Sequence, residues 1–248
     1  MGSIKLFRSP VGLFIVINIL IFVCIRILCA TAGDQWLTIP AVSSSWQLFI
    51  SKPWTIVTYM FSQFDVWQLV FNMLWLWWTG NMLASLRGNS KVIITYLAGG
   101  VTGALAFILY NIADRGAGSL IGSSCSVLAV MTCVAVVAPS LPVNLLFFGR
   151  VKLKWVVVVS VLLYAIGSDF NAPAACVAHL AGATAGCVAG ILLRRRIKPA
   201  RREANLSLGK DDELILNGLL DKVRRSGYTS LTPSERILLI DITKRIGK

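Results

Sequence analysis

Six long apolar stretches constrain this chain more than any other feature. They lie at about residues 10–30, 66–84, 92–110, 119–139, 151–167 and 174–193. Each is long enough to cross about 30 Å of hydrocarbon as a helix of roughly 20 residues. A segment in hydrocarbon must satisfy its own backbone hydrogen bonds, which favours helices for stretches of this length. The sequence therefore predicts an all-α membrane protein with six transmembrane helices.

The distribution of charge divides the chain into two parts. Residues 1–202 contain 16 Lys and Arg against 4 Asp and Glu, whereas residues 203–248 contain 8 against 7. This contrast predicts a membrane domain over 1–202 and a cytosolic tail over 203–248. In the tail, apolar residues recur at helical spacing over about 211–225, and 232-TPSE-235 has the pattern of a capping box. We expect the tail to be a helical hairpin.

Basic residues predict how the helices are oriented. One set of chain ends and loops carries Lys5, Arg8, Arg87, Lys91, Arg150, Lys152, Lys154, Arg194, Arg195, Arg196, Lys198, Arg201 and Arg202. The opposite loops carry Lys52, Arg115, Asp34, Asp65, Asp114 and Asp169. By the positive-inside rule, both termini are expected in the cytoplasm. We expect a multi-pass protein of the cell (inner) membrane. If the first stretch were instead a cleaved signal peptide, the basic ends would fall on opposite faces.

The high positive charge does not indicate nucleic-acid binding. The formal net charge of +13 comes mostly from the basic loops, and the soluble tail is nearly neutral. The six cysteines lie within or beside predicted helices without paired loop spacing, so we expect free thiols that pack as small apolar groups. No metal or other cofactor is expected. The partner that the apolar stretches imply is the lipid bilayer.

Three polar side chains are expected at the same depth in the membrane. Ser124, His179 and Asn72 lie five or six residues into the fourth, sixth and second predicted helices, which all enter from the outer face. At about 1.5 Å per residue they share a depth of about 7–9 Å. His179, the chain's one histidine, lies on a helix face with Gly182 and Gly186, where small residues permit close helix approach. A buried histidine bonded to a backbone carbonyl is the structural alternative.

Ser124 has the surroundings that a nucleophile requires. A serine hydroxyl needs an adjacent base, which His179 could supply. Near the start of a helix, free backbone N–H groups favour a developing oxyanion. Gly122 allows a special turn before the helix and a close approach of a substrate backbone. A Gly-x-Ser sequence is weak evidence by itself, because such sequences are common where membrane helices pack.

Four segments in order resemble the rhomboid intramembrane serine proteases. They are 53-PWTIVTYMF-61, 67-WQLVFNMLWLWWTGNML-83, 122-GSSCSV-127 and 178-AHLAGATAG-186, within roughly residues 45–195. The resemblance implies a six-helix bundle, with Ser124 as nucleophile, His179 as general base and Asn72 as an oxyanion donor. It also implies hydrolysis of transmembrane segments of other proteins near the outer face. The tail resembles the C-terminal extensions of some bacterial members.

The sequence departs from the family pattern at three positions. Gln68 stands where the family has a histidine, Cys125 where it has a glycine, and Leu128 where a tyrosine often flanks the base. The Gln68 amide can still donate to an oxyanion. An inactive rhomboid-like protein that binds membrane helices is the principal alternative. Weaker alternatives are a small transporter or channel and a Cys125 nucleophile; nothing in the sequence specifies an oligomeric state.

Overall fold

A computed structural model describes residues 9–114, 116, 118–145, 149–167, 173–195 and 200–246. The chain forms two compact units, Met1–Arg194 and Arg195–Lys248. The helices are α1 Pro10–Ala32, α2 Trp46–Ser51, α3 Thr55–Thr58, α4 Val66–Arg87, α5 Asn89–Asp114, α6 Ser124–Val137, α7 Leu153–Gly167, α8 Pro173–Arg195, α9 Ala200–Ser226 and α10 Pro233–Ile246. The strands are β1 Val42–Ser43, β2 Ser119–Leu120, β3 Pro142–Leu145 and β4 Gly149–Lys152.

Each of the six predicted apolar stretches contains a helix, namely α1, α4, α5, α6, α7 and α8. Within the described ranges, α1, α5 and α8 are long and apolar enough to cross a membrane, and α6 and α7 are shorter apolar helices. All six cysteines are free, as expected. The predicted orientation also depends on Lys5, Arg8, Arg115, Asp169, Arg196 and Lys198, which lie outside the described residues.

Helix α6 begins later than the sequence predicted. The expected start was about residue 119, but Ser119 and Leu120 form strand β2 and pair antiparallel with Ser43 and Val42 of β1. Gly122 then has a φ of 130°, which breaks the backbone out of helical conformation. The helix therefore starts at Ser124, which is its first residue rather than its fifth.

Helix α6 lies at the centre of the membrane unit. All of its residues from Ser124 to Ala135 are buried. Glycines on both neighbouring helices allow this close packing: a Cβ on Gly103 of α5 would lie 2.7 Å from the Cys125 Cβ, and a Cβ on Gly182 of α8 would lie 2.6 Å from the Cys125 carbonyl oxygen. The bulk of Cys125 is thus accommodated by the missing side chain of Gly103.

The tail unit contains α9 and α10. Helix α9 begins at Ala200, eleven residues before the predicted start at 211, and ends before Gly227, whose φ is 80°. The predicted capping box is confirmed, because the Glu235 N–H donates to Thr232 Oγ1 at 3.3 Å and the Thr232 N–H donates to Glu235 Oε2 at 2.8 Å. Lys222 Nζ of α9 lies 2.7 Å from Glu235 Oε1.

Acidification is expected to weaken the contact between α9 and α10. The Lys222 ammonium, followed by the bonds from Thr232, lowers the pKa of Glu235 from 4.5 to about 2. Because the pKa of Glu235 is depressed in the folded tail, ionised Glu235 stabilises the tail fully above about pH 4.5. This stabilisation is lost as the pH falls towards 2. Carboxyl NMR of the full chain with ¹³C-labelled glutamate should show Glu235 titrating near pH 2.

The Lys222→Gln variant should raise the pKa of Glu235 towards 4.5. The Arg225→Gln variant, which removes an exposed cation from the same helix, should leave it near 2. A Glu235 pKa near 4.5 in the unmodified chain would show that the ion pair does not form in solution.

Candidate active site

The structure brings Ser124 and His179 into direct contact. Ser124 is the first residue of α6, and His179 lies in the second turn of α8. Ser124 Oγ lies 2.7 Å from His179 Nε2. The contact depends on Gly182, one turn along α8, because this glycine allows α8 to lie on the Cys125 backbone. When Nε2 is unprotonated it can accept the hydroxyl proton, which is the arrangement of a nucleophile and its base.

A cavity of about 530 Å³ opens beside this pair. Its polar residues are Gln68, Ser124, Ser160, Tyr164 and His179, and the remaining wall is apolar. The residues that line it are Gln68, Phe71, Trp75, Ser124, Ser160, Leu163, Tyr164, Ala175 and His179. A cavity with apolar walls and a few convergent polar groups is the usual form of a site for a largely apolar ligand.

Gln68 lies against Gly122 at the entrance to α6. Its Oε1 accepts a hydrogen bond of 2.7 Å from the Phe64 N–H, and its Nε2 lies 3.5 Å from the Ile121 carbonyl oxygen. A Cβ on Gly122 would lie 2.7 Å from Gln68 Nε2. The Phe64 carbonyl in turn accepts from the Arg26 guanidinium of α1. Glycine at 122 therefore leaves room for an amide donor in the cavity that contains Ser124.

Asn72 is held behind the cavity by two hydrogen bonds. Its Nδ2 donates to Gln63 Oε1 at 3.0 Å, and its Oδ1 accepts from the Tyr164 hydroxyl at 2.9 Å. Gln63 Nε2 also donates to Asn18 Oδ1 at 2.7 Å and to Ser123 Oγ at 2.8 Å. The buried Gln63 side chain thus connects α1, α4 and the residue before α6. One N–H of the Asn72 amide is left for another acceptor.

Tyr164 is a site residue that the sequence analysis missed. Its ring lies edge-on to the His179 ring, with centroids 5.8 Å apart and planes at 71°. Leu128, which stands where the resemblance implies a tyrosine beside the base, is fully buried in the core. The aromatic contact with the base therefore comes from α7. The one signal available was a hydroxyl-bearing ring in an otherwise apolar segment, 161-VLLYAIG-167.

On the hypothesis that His179 acts as the base for Ser124, loss of the Tyr164 ring should lower activity more than loss of its hydroxyl. Tyr164→Phe keeps the ring beside His179 and removes the neutral hydrogen bond from the hydroxyl to Asn72, so we expect a fall of about tenfold or less in kcat/KM. Tyr164→Ala also removes the contact that orients His179, and misplacing a catalytic group by about 1 Å can cost about a hundredfold. Turnover kinetics of both variants would test this order. Equal losses would show that the hydroxyl is the important group.

The fold and the site described so far define a helical membrane unit with a partly buried Ser–His contact beside a mostly apolar cavity. The Rhomboid domain matches residues 51–196 of this chain. That match covers more than half of the sequence, and the chain belongs to the rhomboid family. Family membership and the apolar helices indicate a multi-pass membrane protein.

The chain is also similar to the yeast protein "Rhomboid protein 1, mitochondrial" from Saccharomyces cerevisiae. The two are 26% identical over 166 residues, which cover 65% of this chain and 48% of the yeast protein. The chain therefore spans about half the length of this relative.

Proposed function

We propose that this protein is an intramembrane serine protease that cleaves transmembrane segments of other proteins near the outer face of the membrane. The observation that carries the proposal is the 2.7 Å contact between Ser124 Oγ and His179 Nε2. An inactive relative would be expected to lose this pair while keeping the cavity. Family membership and the apolar cavity wall support a membrane-embedded substrate.

The reaction begins with Ser124. His179 Nε2 takes the hydroxyl proton while Ser124 Oγ attacks the carbonyl carbon of the scissile peptide. The negative charge that develops on the carbonyl oxygen is stabilised by the Ser124 backbone N–H at the start of α6 and by Gln68 Nε2. Asn72 contributes its remaining N–H if the substrate carbonyl reaches it. His179 then gives its proton to the leaving amine as the peptide C–N bond breaks.

The second half of the reaction regenerates the enzyme. A water molecule that enters the cavity gives a proton to His179 and attacks the acyl carbon attached to Ser124 Oγ. The ester bond breaks, the new carboxyl product leaves, and the proton returns to Ser124 Oγ. This cycle uses a dyad and no metal or other cofactor.

We further propose that α1, α4, α5, α6, α7 and α8 all span the membrane. With both termini in the cytoplasm, the starts of α4, α6 and α8 lie towards the outer face. This orientation places Gln68, Ser124 and His179 on the outer side, where water can enter. Residues 203–248 then form a cytosolic tail, and residues 1–202 form the membrane domain.

Gln68 is expected to act as an oxyanion donor. The Gln68→Leu variant keeps the apolar stem and removes the amide, and we expect kcat to fall about a hundredfold with little change in KM, because one oxyanion donor is lost. The Asn72→Leu variant would lose an amide donor and, in addition, the acceptor of the Tyr164 hydroxyl. We therefore expect it to lose stability as well as activity. Steady-state cleavage kinetics would test the assignment. An unchanged kcat in Gln68→Leu would exclude this role.

A cleavage assay tests the proposed function. The purified full chain would be incubated in liposomes with several generic transmembrane substrates, beside Ser124→Ala as the blank and Cys125→Ala as the thiol control. Cleavage is expected from the wild type and from Cys125→Ala, since the Cys125 thiol is fully buried and does not line the cavity. Failure of the folded wild type to cleave any substrate would favour the inactive helix-binding relative.

A further inference from the structure

A second groove lies on the membrane unit, separate from the Ser–His cavity. Its volume is about 700 Å³, it is bounded by α6, α7 and α8, and it shares no lining residue with the cavity around Ser124. Its wall is mostly apolar. The cationic residues that line it are Lys154 and Arg194.

Two helical stripes form the floor of this groove. On α7 the lining residues after Lys154 are Val157, Val158, Val161 and Leu162, which recur at three- and four-residue spacing. On α8 the stripe of Leu180, Ala183, Thr184 and Cys187 has the same spacing and leads to Arg194. The α7 stripe is about 12 Å long and the α8 stripe about 21 Å, at about 1.5 Å per residue. Each apolar stripe therefore ends at a cation, and both cations lie at the same end of the bundle.

These two cations have no anionic partner within the described part of the chain. Lys154 and Arg194 are both exposed, and the ion pair formed by the described residues joins Lys222 to Glu235 in the tail unit. The described acidic residues of the membrane unit lie at the opposite end: Asp34 follows α1, Asp65 precedes α4 and Asp114 ends α5. An anion that occupies the groove would thus meet attraction at the basic end without nearby acidic competition.

The position of this end relative to the membrane is indicated by Trp155. Its ring is half-exposed, and Lys154 Nζ lies 5.1 Å from the ring centroid. Exposed tryptophan beside lysine is typical of the boundary between hydrocarbon and headgroups. This arrangement predicts that the two cations lie at the depth of lipid phosphates and that Leu162 and Leu180 lie at the depth of acyl chains.

We propose that this groove binds one anionic phospholipid. Its phosphate lies between Lys154 and Arg194, and one acyl chain lies along the α7 and α8 stripes. A phospholipid carries its anion at one end of a long apolar chain, and this distribution matches the groove. Basic pockets between membrane helices are known to recognise anionic headgroups. A transmembrane peptide would fill the apolar length but would not in general bring an anion to the two cations.

Binding of phosphatidylglycerol and phosphatidylcholine to the purified full chain would be compared by native mass spectrometry. The test variant is Lys154→Gln with Arg194→Gln. The matched control is Lys91→Gln with Arg150→Gln, which removes the same charge at the same end from residues outside the groove. A third variant, Thr184→Trp, keeps both cations and fills the apolar part.

The wild type and the matched control should bind one phosphatidylglycerol at least about tenfold more tightly than phosphatidylcholine. The double groove variant, Lys154→Gln with Arg194→Gln, should lose that preference. The Thr184→Trp variant should bind phosphatidylglycerol more weakly. Equal affinity of the wild type for both lipids, or retained preference in the double groove variant, would overturn the proposal. Unchanged binding by Thr184→Trp would exclude the acyl chain from the groove. Thermal unfolding of each variant would establish that it is folded.

Discussion

Alanine at Ser124 or at His179 is expected to lower the rate of substrate cleavage at least about a thousandfold, and alanine at both should lower it no further. The hydroxyl and the imidazole act as one unit, since the 2.7 Å contact serves to transfer a proton between them. Without Ser124 there is no hydroxyl proton for His179 to accept, and without His179 there is no base to accept the proton of Ser124. Single-turnover cleavage in liposomes by the two single variants and the double variant would measure this coupling.

The neighbouring hydroxyl provides a matched control for this experiment. Ser126 lies two residues after Ser124 in the same helix, is fully buried, and its Oγ has no hydrogen-bond partner in the described part of the structure. Ser126→Ala should therefore keep close to wild-type activity. Losses that multiply in the Ser124→Ala/His179→Ala variant would mean that the two residues act independently, which the geometry does not allow.

Valine at Gly186 is expected to lower the free energy of unfolding by about 3 kcal/mol, because overpacking a tight helix contact forces the backbones apart. A Cβ on this residue would overlap the Ala129 carbonyl oxygen and Thr132 Oγ1 of α6. The carbonyl belongs to a helix and cannot rotate away. Unfolding by increasing sodium dodecyl sulfate in mixed micelles would measure the loss of stability, and cleavage should fall with it.

Gly218 is the matched control for this substitution. It also lies within a helix, α9, but no atom lies within 4 Å of the position of its Cβ. Gly and Val differ little in exposed helix propensity, so Gly218→Val should change stability by less than about 0.5 kcal/mol. An unchanged unfolding midpoint for Gly186→Val would show that α6 and α8 are not in close contact in the membrane.

Much of the helical framework could be predicted from the sequence. Apolar length alone identified where α1, α4, α5, α7 and α8 lie, because a membrane helix satisfies its own backbone and is a local structure. The capping box at Thr232 was also predictable, because it is a local structure formed by residues three positions apart. The start of α6 was not, because Ser119 and Leu120 are held extended by Val42 and Ser43, residues more than seventy positions earlier.

The candidate site was predictable in part. Ser124 and His179 were indicated by the small residues beside His179 and by the family resemblance, and the structure brings them together. The predicted depth of Ser124 within its helix was wrong, because Ser124 begins α6. The roles of Gln63 and Tyr164 could not be predicted from the sequence. Gln63 precedes α4 and Tyr164 lies in an apolar helix, and each becomes informative only through partners on other helices, such as Asn72.

The most direct test of the central claim is to identify the residue that a fluorophosphonate probe labels in the folded full chain. Attack by Ser124 Oγ on phosphorus releases fluoride and leaves one covalent adduct, so the readout does not depend on knowing the substrate. We predict a single adduct on Ser124 in the wild type and in Cys125→Ala, and none in His179→Ala. An adduct on Cys125, an adduct that persists without His179, or the absence of any adduct on Ser124 would contradict the account.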